Sequence, residues 1–187
     1  MSQRGPARSE ARRRRLAILA ALVCVSATLA GVARHAIGGA DGVAPVGWTA
    51  SDDQVPVMAN LDPRLREALR RAAADAATGG IEIRVTSGWR SPEQQKRLFR
   101  RAVSKYGSKA SAARWVATPD TSSHVRGRAV DIGPARAAAW LSRHGAAYGL
   151  CRIYQNEPWH YELRPEARAD GCPSRYADPA HDPRMQP

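Results

Sequence analysis

An internal repeat, a recognisable nucleic-acid motif and an abundance of cysteine are all missing from these 187 residues. Without a repeat, solenoids and propellers drop out. Three cysteines are too few for a small domain built on disulfides. Acidic residues are also scarce, 17 against 29 Lys and Arg, which gives a formal charge of +12. Six Arg and one Glu within residues 1–15 account for a net +5, and the remaining +7 is scattered. Phosphate binding needs clustered basic groups, so no nucleic-acid partner is expected. The length suits one domain of common size with tails.

One long apolar run is present. Residues 16–33 (LAILAALVCVSATLAGVA) carry no charge and follow Arg12, Arg13, Arg14 and Arg15. The run exceeds a signal-peptide core of about 7–15 residues and falls slightly short of the roughly 20 that span a bilayer. An uncleaved signal anchor is expected; a cleaved signal peptide is the other option, because Gly31, Val32 and Ala33 offer a small-residue cleavage site. Either way the arginines stay in the cytoplasm and everything after Arg34 lies outside the membrane. Cys24 reads as a small membrane residue, since Leu22 and Val23 match a lipobox poorly. Cys151 and Cys172 are then a pair in an oxidising compartment. A disulfide between them is expected, closing a loop of about twenty residues, worth about 3 kcal/mol on the chain-entropy model.

Residues 34–60 read as an extracytoplasmic linker whose end packs on the domain. Folding proper is expected from 61 to 172, with 173–187 a disordered tail. Asp62 and Pro63 supply the cap and first position of a helix whose apolar residues recur from Leu65 to Ala76 and which Gly79 and Gly80 stop. Alternation over residues 81–86 predicts a strand with Ile81, Ile83 and Val85 inward. Ser91 and Pro92 open a second helix to about Tyr106, and Ser108 caps a short one through Val116. Residues 135–148 read as a helix offering Ala138, Trp140, Leu141 and Ala147 to a core. Strands are expected at 129–132, 151–154 and 159–163. Helices interleaved with short strands predict an α+β fold with a small, mainly antiparallel sheet.

Two stretches hold the chemistry, TSSHVRGRAVDI at 121–132 and NEPWHYEL at 156–163. His124 and Asp131 are seven apart with Gly127 between them, so the chain can turn at the glycine and bring Asp131 back on a strand facing the histidine. On the second strand His160 and Glu162 share a face, and Glu157 sits on the turn before it. Two imidazoles and one carboxylate fill three positions on a catalytic zinc ion and leave the fourth to water. His124, Asp131 and His160 are the expected metal ligands, with Glu157 left over as a base. His35, His144 and His181 lie outside the motifs and are assigned to the surface.

The pattern S-x-H-x-x-G-x-A-x-D followed by E-P-W-H resembles the signature of the zinc D,D-peptidases, in particular the VanY-type D-alanyl-D-alanine carboxypeptidases, over residues 61–163. The resemblance implies that fold, a Zn2+ cofactor and a peptidoglycan stem peptide as substrate, and a basic surface suits an anionic cell wall. It also implies that Arg90, in the Trp-Arg-Ser turn, is catalytic and stabilises the oxyanion, and that Ser122 and Gln95 recognise substrate. Ser123 departs from the pattern, which is commonly acidic at that place. A D,D-dipeptidase, an endopeptidase cutting L-Ala-D-Glu, and a non-catalytic wall-binding module on the same fold are the alternatives.

Overall fold

The computed structural model describes Thr49, Asp52 and residues 54–185; the expected anchor at 16–33 lies outside that set. Among the described residues no helix is long and apolar enough to cross a membrane. A short helix α1 (Pro56–Ala59) leads into the scaffold helix α2 (Pro63–Thr78). Asp62 caps α2 by accepting from the Arg64 N–H, and Pro63 takes a first-turn position, where its missing N–H costs nothing. The buried stripe of α2 runs Leu65, Ala68, Leu69, Ala72 and Ala76, the spacing of an amphipathic helix.

Strand β1 (Arg84–Ser87) follows. It starts later than alternation suggested, although Ile83 and Val85 are buried between exposed Glu82 and Thr86. Helix α3 (Pro92–Tyr106) is capped by Ser91, which accepts from the Gln94 N–H. Helix α4 (Lys109–Ala113), capped by Ser108, ends short of Val116. Strand β2 (Ala129–Gly133), helix α5 (Ala135–His144), strand β3 (Leu150–Arg152) and strand β4 (His160–Leu163) complete the body. The sheet order is β1-β2-β4-β3, every neighbour antiparallel. The expected α+β architecture is therefore present.

Side-chain alternation divides the sheet between stability and chemistry. Val130, Ile132 and Tyr161 join Leu65, Leu69 and Leu141 in the main core. Because successive side chains on a strand point to opposite faces, Asp131 and His160 turn the other way. The register sets Asp131 opposite His160 on β4 and opposite Ser87 on β1, where a bulge between Val85 and Ser87 shifts the pairing. Directly opposed residues have Cβ atoms about 4.5–5.5 Å apart, so one row across three strands already gathers a serine, an aspartate and a histidine.

Three expectations need correction. The helix expected over 135–148 is α only to His144; a 3-10 turn, Gly145–Tyr148, finishes it. That turn leaves Ala147 exposed, and Ala137 takes a core place instead. The Gly145 position explains the change, because a Cβ there would stand 2.3 Å from the Leu150 carbonyl oxygen, so the chain passes close to β3. Second, the end of the expected linker packs on the domain as anticipated but belongs to its core, so the bound at residue 61 falls late: Val57 and Met58 on α1 are fully buried in the main core. Third, the tail expected to be disordered is folded through residue 185. After α6 (Ala167–Asp170) the Cys151–Cys172 disulfide, present as expected, ties it to β3. Tyr176 then bridges to Tyr154, and Asp178 and Asp182 are buried.

Candidate active site

The row on the sheet is joined by His124, which arrives on the turn after α4. Gly127 closes that turn: its φ is +67° and its N–H bonds to the His124 carbonyl. A Cβ at Gly127 would also lie 2.6 Å from the Asn60 carbonyl oxygen. Both the backbone conformation and the close approach require glycine. The chain then enters β2, as the seven-residue spacing predicted, and delivers Asp131 to the histidine.

Three donor atoms meet at one point. His124 Nε2 lies 3.2 Å from His160 Nδ1 and 3.4 Å from Asp131 Oδ1, and His160 Nδ1 lies 3.3 Å from the same oxygen. Nitrogen and oxygen ligands about 2.0–2.2 Å from a tetrahedral ion stand about 3.3–3.6 Å apart, so the triangle has the size of one face of a zinc tetrahedron. The partners behind each ligand decide what faces inward. His124 Nδ1 lies 2.8 Å from the Gly88 carbonyl oxygen and must carry the hydrogen there. His160 Nε2 faces Glu162 Oε1 at 3.4 Å and donates likewise. Each neutral imidazole therefore presents a lone pair to the centre, beside the lone pairs of Asp131 Oδ1. The chemistry of this donor set fits a cation.

The electrostatics set the two imidazoles apart. Burial, followed by the charge of Arg90, lowers His124 to about 4. Burial opposes protonation of His160 too, but hydrogen bonds to Asp131 and Glu162 outweigh it and raise the group to about 10. Asp131 is held well below the usual carboxylate range despite its burial, by the two histidines and Arg90. Glu157 stands apart from the trio, its Oε2 3.7 Å from His160 Nδ1, and burial raises it to about 7.

Arg90 holds the outer oxygen of Asp131: its Nη2 donates to Oδ2 at 2.8 Å. The guanidinium also donates twice to Ser87 Oγ and once to Gln95 Oε1. These bonds draw on four of its five N–H groups. Gln95, 1% exposed, donates its amide to the Ala117 carbonyl, so its amide is occupied in bracing Arg90. Ser122 Oγ accepts from the Val125 N–H. All three residues border a cleft of about 400 Å³ that also reaches His124, Asp131 and Glu157. His144 and His181 are both exposed, as expected, and His181 pairs with the buried Asp178.

Sequence reasoning missed the support around Glu162, which is 1% exposed. Ser123, the residue that departs from the family pattern, donates to its Oε1 at 2.8 Å, and Arg164 and Arg184 both donate to Oε2. The signal for Glu162 was legible, since it sits two residues beyond His160 on the same strand face. For Arg184 there was none.

A trio of two buried imidazoles and a half-buried carboxylate, with a fourth carboxyl at its rim and a cleft in front, is the arrangement of a mononuclear metallohydrolase centre. The model of the VanY family, D-alanyl-D-alanine carboxypeptidase, matches residues 58–166. That is more than half of the chain, and the chain belongs to this family. A D-alanyl-D-alanine carboxypeptidase of Enterococcus faecalis is 32% identical over 126 residues, covering 54% of this chain and 46% of the relative. The chain thus matches about half the length of that relative. Among solved structures, a Glu-to-Ala mutant of the vancomycin-resistance D,D-pentapeptidase VanY in complex with Zn(II) is similar, with 28% identity and a TM-score of 0.54 over 60% of this chain and 80% of that one. VanYB in complex with D-alanine-D-alanine gives 27% identity and a TM-score of 0.55 over 60% of this chain and 78% of that one.

Proposed function

We propose that this chain is a zinc-dependent D,D-carboxypeptidase that removes the terminal D-Ala from peptidoglycan stem peptides, held outside the cell by its N-terminal segment. The observation that carries the reading is the convergence of three inward lone pairs, from His124, Asp131 and His160, beside a separate, raised carboxyl. Those three residues hold the ion. When bound, zinc supplies Lewis acidity, bringing a water molecule's pKa toward neutrality and drawing electron density from the scissile carbonyl.

The remaining steps belong to the chain's own groups. Glu157 removes a proton from the attacking water as its oxygen bonds to the carbonyl carbon. It then gives a proton to the departing amine as the C–N bond breaks. Arg90 fixes Asp131 from behind, and its positive charge on the cleft wall faces the region where the oxyanion develops. Ser122 keeps its O–H for a substrate acceptor, and Gln95 acts on substrate through Arg90. The exposed faces of Trp115 and Trp159 line the cleft and suit the apolar parts of a peptide.

Incubating the purified chain with a stem pentapeptide and with free D-Ala-D-Ala, with and without a chelator, tests this. Loss of one D-Ala from the pentapeptide, stopped by chelator and restored by zinc, is expected. Cleavage of the free dipeptide alone would favour the D,D-dipeptidase alternative, and an inert protein that still binds stem peptide would favour the wall-binding module.

A further inference from the structure

We propose that residues 173–185 form a strap that is a working part of the active site, with Arg184 as a positioning residue for the metal ligand His160. The strap lies beyond the residues that the family model matches. It starts at the Cys151–Cys172 disulfide and runs beside residues 153–156, where the Tyr176 N–H bonds to the Ile153 carbonyl and the Gln155 and Asn156 N–H groups bond to the Tyr176 and Ala177 carbonyls. Two short 3-10 turns, Pro179–His181 and Pro183–Met185, then bring Pro179 and Met185 to the wall of the same cleft as Glu157.

From there two chains of contact lead to His160. Arg184 Nη1 donates to Glu162 Oε2 at 2.7 Å, and Glu162 Oε1 holds His160 Nε2. A carboxylate has about four acceptor sites, and those of Glu162 are met by Ser123, His160, Arg164 and Arg184. Removing Arg184 takes away one of the two cationic donors to the buried Oε2, leaving Arg164 alone there, and weakens the hold on the imidazole's direction. The second chain uses Asp182, fully buried, which pairs with the Arg184 guanidinium and accepts from the Tyr154 hydroxyl at 3.0 Å. The Tyr154 ring in turn lies against the His160 ring, centroids 5.1 Å apart. The disulfide, the strap and the ligand are thus mechanically continuous.

The inference rests on the zinc reading above, and zinc binding itself is the readout. In the full chain, Arg184→Met and Arg184→Lys are compared with wild type for zinc affinity by competition with a chelating dye, for the visible spectrum of the Co(II)-substituted protein, and for kcat and KM on a stem pentapeptide. Arg184→Met is expected to bind zinc about tenfold more weakly, the lower end of the range for partners outside the ligand shell. Its Co(II) bands shift and its kcat falls more than its KM changes, while Arg184→Lys recovers most of the affinity. A folded Arg184→Met with wild-type affinity and an unchanged Co(II) spectrum overturns the inference alone. Should Arg184→Met fail to fold, Asp182→Asn decides, since it loosens Arg184 while leaving Glu162 intact: weaker zinc binding supports the strap's role and wild-type binding overturns it. A wild-type chain that binds no zinc overturns the site reading and this inference together.

Discussion

The two histidines of the centre are held in opposite ways. His124 stands on a turn and is oriented by a backbone carbonyl, that of Gly88, so its orienting partner is neutral. His160 stands on a strand and is oriented by Glu162, whose charge is balanced by Arg164 and Arg184. The first arrangement is fixed by where the backbone runs; the second is set by side chains that substitution can tune. One ligand therefore depends on the packing of α1 and β1, the other on an ionic network that extends into the C-terminal strap.

The contrast can be tested by four changes, beginning with the largest expected effect. Glu157 precedes His160 on the tunable side and is the proposed base. Glu157→Ala is expected to keep its zinc while kcat falls by about 10²–10⁴, the range for a lost general base, as read by single-substrate kinetics beside metal analysis; activity near wild type would remove Glu157 from that role. Glu162→Gln keeps the shape but not the charge. Zinc affinity is expected to fall about 10–100-fold, measured by chelator competition.

On the His124 side the comparable change is Gly88→Ala. A Cβ there would lie 2.5 Å from the Val57 carbonyl oxygen, and backbone cannot give way as a flexible side chain does. A loss of about 1–3 kcal/mol in stability is expected, seen in denaturant melts, with a smaller drop in zinc affinity as the carbonyl behind His124 shifts. The smallest effect is in pH dependence. Glu157 must be ionised to accept a proton, and its burial places its titration at about 7; a neighbouring cation moves that value downward. On the acid side kcat/KM is expected to rise with pH and level off at or below about 7. A limb that persists unchanged in Glu157→Gln would assign it to another group.

How much of this was legible in the sequence depended on whether the cause was local. Caps at Asp62, Ser91 and Ser108 were readable because a cap is a contact over two or three residues. The convergence of His124, Asp131 and His160 was readable because Gly127 and the strand alternation fix where they point. Arg90 was picked out at its turn, but its bond to Asp131, 41 positions away, needed the β1–β2 register. The strap was illegible. Its polar, proline-rich composition looks disordered, and what orders it is burial of Asp178 against Arg114 and of Asp182 against Tyr154, both elsewhere in the fold, with Arg184 of the strap completing the second pair. The split of the expected helix at Gly145 was hidden for the same reason, since it answers to the distant β3.

His124, Asp131 and His160 are proposed to hold one ion between them, with Glu157 outside its ligand set. Titrating metal-stripped protein with zinc is expected to show one ion bound per chain in wild type and in Glu157→Ala, and binding greatly weakened in His124→Ala, Asp131→Ala and His160→Ala. Wild-type affinity in any of those three, or loss of zinc from a folded Glu157→Ala, would contradict it.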